Sequence, residues 1–144
     1  MAFGNPEYKV ILQPNFEKSL DKVRKSYYKK NQKEFEKLLE ILEGIYDIFS
    51  SIPRNKPPLA RQMESSISKL EAEGWPKKSV RDGCEFWKLY FRLPGLSGAA
   101  QQGRIMYIIN EKDKEVGIFW IYNHSQYEKR PPDAEISRVL NDVL

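Results

Sequence analysis

The sequence predicts an α+β domain, in which an N-terminal strand and a helical hairpin pack on an antiparallel sheet that a short C-terminal helix closes. Two observations carry this expectation. Apolar residues recur at three- and four-residue steps through the N-terminal third, and from Val80 onward the period changes to two. The elements also follow one another as strand, helices, consecutive strands and a final helix, with no internal repeat. That order suits an antiparallel sheet with helices on one face.

Tyr8-Lys9-Val10-Ile11-Leu12-Gln13 is the first strand, stopped by Pro14, and Asn15 is placed to cap a helix beginning at Phe16. Phe16, Leu20 and Val23 form one apolar stripe on that helix. Phe35, Leu38, Leu39, Leu42, Ile45, Tyr46 and Phe49 form the stripe of a second, with Asn31 and Glu34 as its capping pair. Residues 53–78 read as a helical insertion: a proline-rich connector precedes Leu59, Met63, Ile67 and Leu70 in helical register, and Gly74-Trp75-Pro76 ends them.

Next comes an amphipathic strand with Trp87, Leu89, Phe91 and Leu93 on one side and Phe86, Lys88, Tyr90 and Arg92 on the other. Pro94 to Gln102 is a loop of small residues. A hairpin follows, Gly103 to Ile109 and Val116 to Tyr122, whose apolar strands belong in the middle of the sheet. Asp133 is placed to cap the last helix, with Ile136, Val139, Leu140 and Val143 as its stripe.

The chain of 144 residues fits one domain. A formal charge of +4 leans toward an anionic partner without requiring one. Cys84, as a lone cysteine, suits a reducing compartment, and no apolar run is long enough to span a bilayer, so a cytoplasmic location is expected. One histidine and one cysteine far apart make no metal site, and no glycine-rich phosphate loop is present, so no cofactor is expected.

The N-terminal strand and hairpin, the run Glu85 to Arg92, the strand Gly103 to Tyr107 and the exit Ile121 to Lys129 resemble the RelE/ParE superfamily of bacterial toxins. The resemblance spans the chain apart from residues 53–78. It implies the toxin of a type II toxin–antitoxin system, neutralised by a cognate antitoxin. In its RelE-like form such a toxin is an endoribonuclease that cuts messenger RNA at the ribosome. The alternatives it leaves open are a ParE-like inhibitor of DNA gyrase without RNA cleavage and a non-catalytic binding module on the same fold. Lys88, Arg92, Arg104, His124 and Tyr127 stand where RelE-like members carry functional residues. Tyr90 replaces a second sheet lysine, and His124 and Ser125 replace basic residues.

These residue types suit metal-independent RNA cleavage. When the 2′-hydroxyl attacks phosphorus, a proton must leave the nucleophile, another must reach the departing 5′-oxygen, and the phosphorane oxygens need cations. His124 suits the acid or base, Arg104 and Arg92 suit forked phosphate contact, and Lys88 adds a point charge. Tyr127 and Tyr90 suit base stacking or proton donation, and Lys129-Arg130 suits phosphate gripping. Against this stand plain structural roles for the same residues: a solvated strand face for Lys88 and Arg92, and a solvated turn for Lys129-Arg130. The lysines of the first two helices are diluted by acids and read as an ordinary helix exterior.

Overall fold

A computed structural model of the protein describes residues 7–53, 60–62, 84–128 and 131–143. Strand β1 (Lys9–Leu12) leads into helices α1 (Pro14–Tyr27) and α2 (Gln32–Ser51). Strands β2 (Ala60–Gln62) and β3 (Cys84–Arg92) follow; a short 3-10 turn, Gly98–Gln101, then precedes β4 (Gln102–Asn110), β5 (Glu115–Asn123) and helix α3 (Asp133–Val143). The sheet has five strands in the order β1-β5-β4-β3-β2. As expected from their apolar sequences, β4 and β5 lie inside it.

Three features correct the sequence reading. The sheet is mixed: β2 to β5 pair antiparallel, whereas β1 lies parallel to β5, with Val10 opposite Val116. Parallel neighbours need a long crossover, and the helical hairpin with the strands after it supplies one. Helices cover both faces instead of one. Phe16, Val23, Leu38 and Phe49 from α1 and α2 pack with Trp87, Leu89, Ile105, Tyr107 and Ile118, while Ile136, Val139 and Leu140 from α3 pack with Phe86, Met106, Ile108 and Phe119. Lastly, Ala60–Gln62 is a strand pairing with Trp87–Leu89, not part of a helix. The rest of the expected insertion helix, with Leu59, Met63, Ile67 and Leu70, lies outside the described residues.

The helix starts also differ in detail. Pro14 opens α1 instead of merely ending β1, because the first helical position has no use for an N–H. Gln13 is therefore the N-cap, and the Asn15 amide is free to donate to the Phe119 carbonyl at 2.9 Å. Asn31 does cap α2, but without a side-chain bond; Glu34 pairs with Lys37 instead of closing a box. Asp133 opens α3, with its side chain outside the described residues.

Strand β1 is too short to cover the edge of β5, and α1 completes the job. Beyond Ile118, the Ile121 N–H donates to the Ser19 hydroxyl at 2.9 Å, and that hydroxyl donates to the Phe16 carbonyl at 2.9 Å. Both groups are buried. Ser19→Ala leaves the Ile121 N–H without a partner and is expected to cost about 1–3 kcal/mol, read as a lower denaturant midpoint at unchanged m-value.

A bulge interrupts the pairing of β4 with β5. Met106 faces Trp120 and Tyr107 faces Ile118, so Phe119 is the extra residue in β5. Phe119 and Trp120 both then join the α3 side of the sheet.

Tyr28 is buried, with its hydroxyl donating to the Pro94 carbonyl at 2.8 Å. Burial, aided by the nearby Glu34 carboxylate, pushes its phenol up to about 12. The unfolded chain ionises this tyrosine first, near its ordinary pKa of about 10, so it binds fewer protons there than the folded chain. Stability is thus complete below pH 10 and falls between pH 10 and 12. Alkaline unfolding of Tyr28→Phe is expected to be shallower in that window.

Candidate functional site

The site grows from the alternation of β3 and β4. Phe86 and Met106 are buried beneath α3, and on the same face one step along the strands Lys88, Tyr90 and Arg104 are only half-buried. Tyr90 and Arg104 are direct cross-strand partners, and Arg104 is in turn opposite Tyr122. The Arg104 guanidinium lies 4.5 Å from the centre of the Tyr90 ring, and the Lys88 ammonium lies 5.3 Å from the same ring. Two cations therefore share one aromatic ring, each contact contributing roughly 0.5–1 kcal/mol at such exposure. Arg104 also donates through Nη1 to the Gly103 carbonyl at 2.9 Å. The stack orients a planar fork of donors before any ligand arrives.

Gly103 permits this approach. A Cβ there would meet the Phe91 ring at 2.8 Å and the Leu93 side chain at 3.1 Å. Gly103→Ala is expected to push the start of β4, and Arg104 with it, away from β3; the signature is a modest fall in melting temperature.

His124 stands one residue beyond β5, held by its backbone N–H, which donates to the Gln102 carbonyl at 3.0 Å. The turn that carries it is locked by Asn123, which is fully buried. The Asn123 Oδ1 accepts from the Gln126 N–H at 3.0 Å, and its Nδ2 donates to the Ala100 carbonyl at 3.1 Å. The Asn123 N–H donates to Gln126 Oε1 at 3.1 Å, and the Tyr127 N–H donates to the Asn123 carbonyl at 3.2 Å. Asn123, through its side chain and backbone together, thus fixes the turn that runs from His124 to Tyr127. The sequence reading missed it, although an asparagine at a strand exit, bonding its own backbone a few residues on, is the usual turn signal.

Tyr127 packs edge-on against two rings, 6.3 Å from Trp120 and 5.7 Å from Tyr122. Burial raises its phenol above the ordinary tyrosine value, and the Glu135 carboxylate adds to the shift. At neutral pH Tyr127 is therefore a hydrogen-bond or proton donor and not a base.

Of the expected site residues, the structure gathers Lys88, Tyr90 and Arg104 into one contact cluster, and sets Tyr127 against Tyr122, the cross-strand partner of Arg104. Arg92 is exposed at the end of β3, opposite Gln102, and His124 bonds the same Gln102. These two share the cluster's end of the sheet without joining its stack. Lys129 and Arg130 lie outside the described residues. Tyr107, Trp120 and Tyr122 are core. Among the described residues no group of three or more His, Cys, Asp or Glu is placed to hold a metal ion.

No protein-family model matches the chain, and no curated protein matches it. Among solved structures it is similar to the crystal structure of an archaeal RelE–RelB complex from Pyrococcus horikoshii OT3. The identity is 17% over 83% of this chain and 98% of that chain, with a TM-score of 0.45.

Proposed function

We propose that this chain is the toxin of a type II toxin–antitoxin pair, a cytoplasmic endoribonuclease that cuts messenger RNA at the ribosome without a metal ion and is held inactive by a cognate antitoxin. The observation that carries this reading is the Lys88–Tyr90–Arg104 stack on the half-open part of the sheet face, beside the protonated phenol of Tyr127. The order of elements that resembles the RelE/ParE superfamily supports it.

In the reaction the 2′-oxygen bonds to phosphorus and the bond from phosphorus to the 5′-oxygen breaks, leaving a 2′,3′-cyclic phosphate and a free 5′-hydroxyl. Arg104 and Lys88 stabilise the charge that develops on the non-bridging oxygens. The imidazole of His124 takes the 2′-hydroxyl proton, and Tyr127 donates to the leaving oxygen. Tyr90 keeps the guanidinium flat and leaves its outer edge for phosphate.

The test is incubation of the purified chain with ribosomes carrying messenger RNA, in the presence of a chelator. Fragments ending in cyclic phosphate are expected. Growth arrest with uncut messenger would instead make the chain a non-catalytic inhibitor, of DNA gyrase or of another target.

A further inference from the structure

A cleft rimmed by cations lies on the other side of Tyr127 from the stack. Helix α1, the end of β5 and helix α3 enclose a cleft of about 190 Å³, rimmed by Lys18, Lys22 and Arg138, with Trp120, Tyr127 and Glu135 among its other walls. Its remaining polar groups are already committed: Asn15 and Ser19 close the edge of β5, and Gln126 closes the turn after it. The cations are not. Lys18, Lys22 and Arg138 form no ion pair with the described residues, whereas Arg24 and Lys25 on the same α1 helix are both taken by Asp21. Lys18 and Lys22 are one helical turn apart and so present their ammonium groups to the same space. Three uncommitted cations face one carboxylate across a concave surface, an arrangement that favours a ligand with more than one negative charge.

Tyr127 connects this cleft to the stack. It lines the cleft, and its ring also rests on Tyr122, the neighbour of Arg104 across the sheet. We infer that the cleft between α1, β5 and α3 is a second phosphate-binding site, holding the backbone of a single RNA strand that continues past the Lys88–Tyr90–Arg104 stack. The choice of RNA as the ligand rests on the nuclease reading above. Within that reading Glu135 has a use: a carboxylate in a phosphate-binding cleft is an acceptor for a ribose 2′-hydroxyl, the group that separates RNA from DNA.

The experiment is fluorescence anisotropy with a labelled single-stranded RNA of about ten nucleotides, titrated across salt concentrations. Every protein carries Arg104→Ala, so that the RNA stays whole. The cleft variant Lys18→Gln/Lys22→Gln/Arg138→Gln is compared with Lys9→Gln/Lys33→Gln/Lys112→Gln, which removes the same charge from exposed positions elsewhere. All six residues are exposed, so both variants should keep the parent's melting temperature. The cleft variant is expected to bind at least tenfold more weakly, and its salt slope to fall by about two, since each phosphate contact on a single strand contributes roughly 0.7. The comparison variant should keep the parent's slope. DNA of the same sequence should bind more weakly than RNA, and Glu135→Gln should narrow that gap.

Equal weakening in both triple variants, or none in the cleft variant, overturns the inference. So does displacement of the RNA by a ribonucleoside 5′-monophosphate at micromolar concentration, which would make the cleft a nucleotide pocket and not a strand site. The two proposals fail separately. RNA held by this cleft in a protein that cuts no messenger ends the nuclease reading alone; messenger cut by a protein whose cleft variant binds like its parent ends the cleft inference alone.

Discussion

Arg104→Ala is expected to slow cleavage of ribosome-bound messenger RNA by roughly a hundredfold or more, the usual effect of removing one preorganised donor from a charged transition state. The residue opens a strand that is otherwise apolar, and its guanidinium is held 4.5 Å over Tyr90. Arg104→Lys tests the geometry separately from the charge. An ammonium keeps the positive charge but not the planar fork, so it should restore only part of the rate. His124→Ala should produce a comparable loss if imidazole handles the proton. Circular dichroism serves as the folding control for all three. Folded variants that cut as fast as the parent would remove these residues from the mechanism.

Tyr107→Ala is expected to have the largest effect on stability, about 3–5 kcal/mol. The ring is fully buried in the middle of β4, 4.2 Å from the Phe49 ring of α2 and 6.4 Å from Trp87 of β3. Its hydroxyl donates to the Pro53 carbonyl at 2.8 Å, tying the end of α2 to the sheet. Tyr107→Phe separates the two contributions: the stacking stays, but the buried Pro53 carbonyl loses this donor, at a cost of about 1–3 kcal/mol. Chemical denaturation of both variants reads the difference. If Tyr107→Phe were as damaging as Tyr107→Ala, the hydroxyl and not the ring would hold α2 in place.

Asn123→Ala offers a middle case between site and scaffold. It removes the side chain that joins β5 to Ala100 and Gln126, at about 1–3 kcal/mol, and releases the turn that positions His124 and Tyr127. Activity is therefore expected to fall further than the stability loss alone explains, with cleavage measured well below the melting temperature.

The main layers were legible because their residues repeat. Of the apolar residues that recur at helical spacing from Phe35 to Phe49, all but the exposed Leu39 belong to the packed face of α2; Trp87, Leu89 and Phe91 alternate with Lys88, Tyr90 and Arg92, and the structure puts the two sets on opposite faces. Lys88 and Tyr90 could be nominated from the alternation of β3, and Arg104 because a cation opening an otherwise apolar strand stands out against its neighbours.

Strand partners were a different matter. Nothing in Lys9–Leu12 indicates that it will lie parallel to Glu115–Ile118, about a hundred residues away, and three residues at Ala60–Gln62 are too few to show a period of two. The extra residue Phe119 breaks the alternation of β5 without a glycine or proline to announce it.

By itself, then, the sequence determined which residues are apolar in which period, and hence the helices, the long strands and the cations available for chemistry; these depend on neighbours a few positions apart. Only the tertiary structure decided that α3 covers the far face and leaves the stack half-open, that Ser19 and Asn15 complete the edge of β5, and that Asn123 anchors the turn after it. The first is apolar packing between elements far apart in the chain, and the other two are a strand edge and a buried polar group finding partners across the fold, a requirement of desolvation that no local pattern encodes.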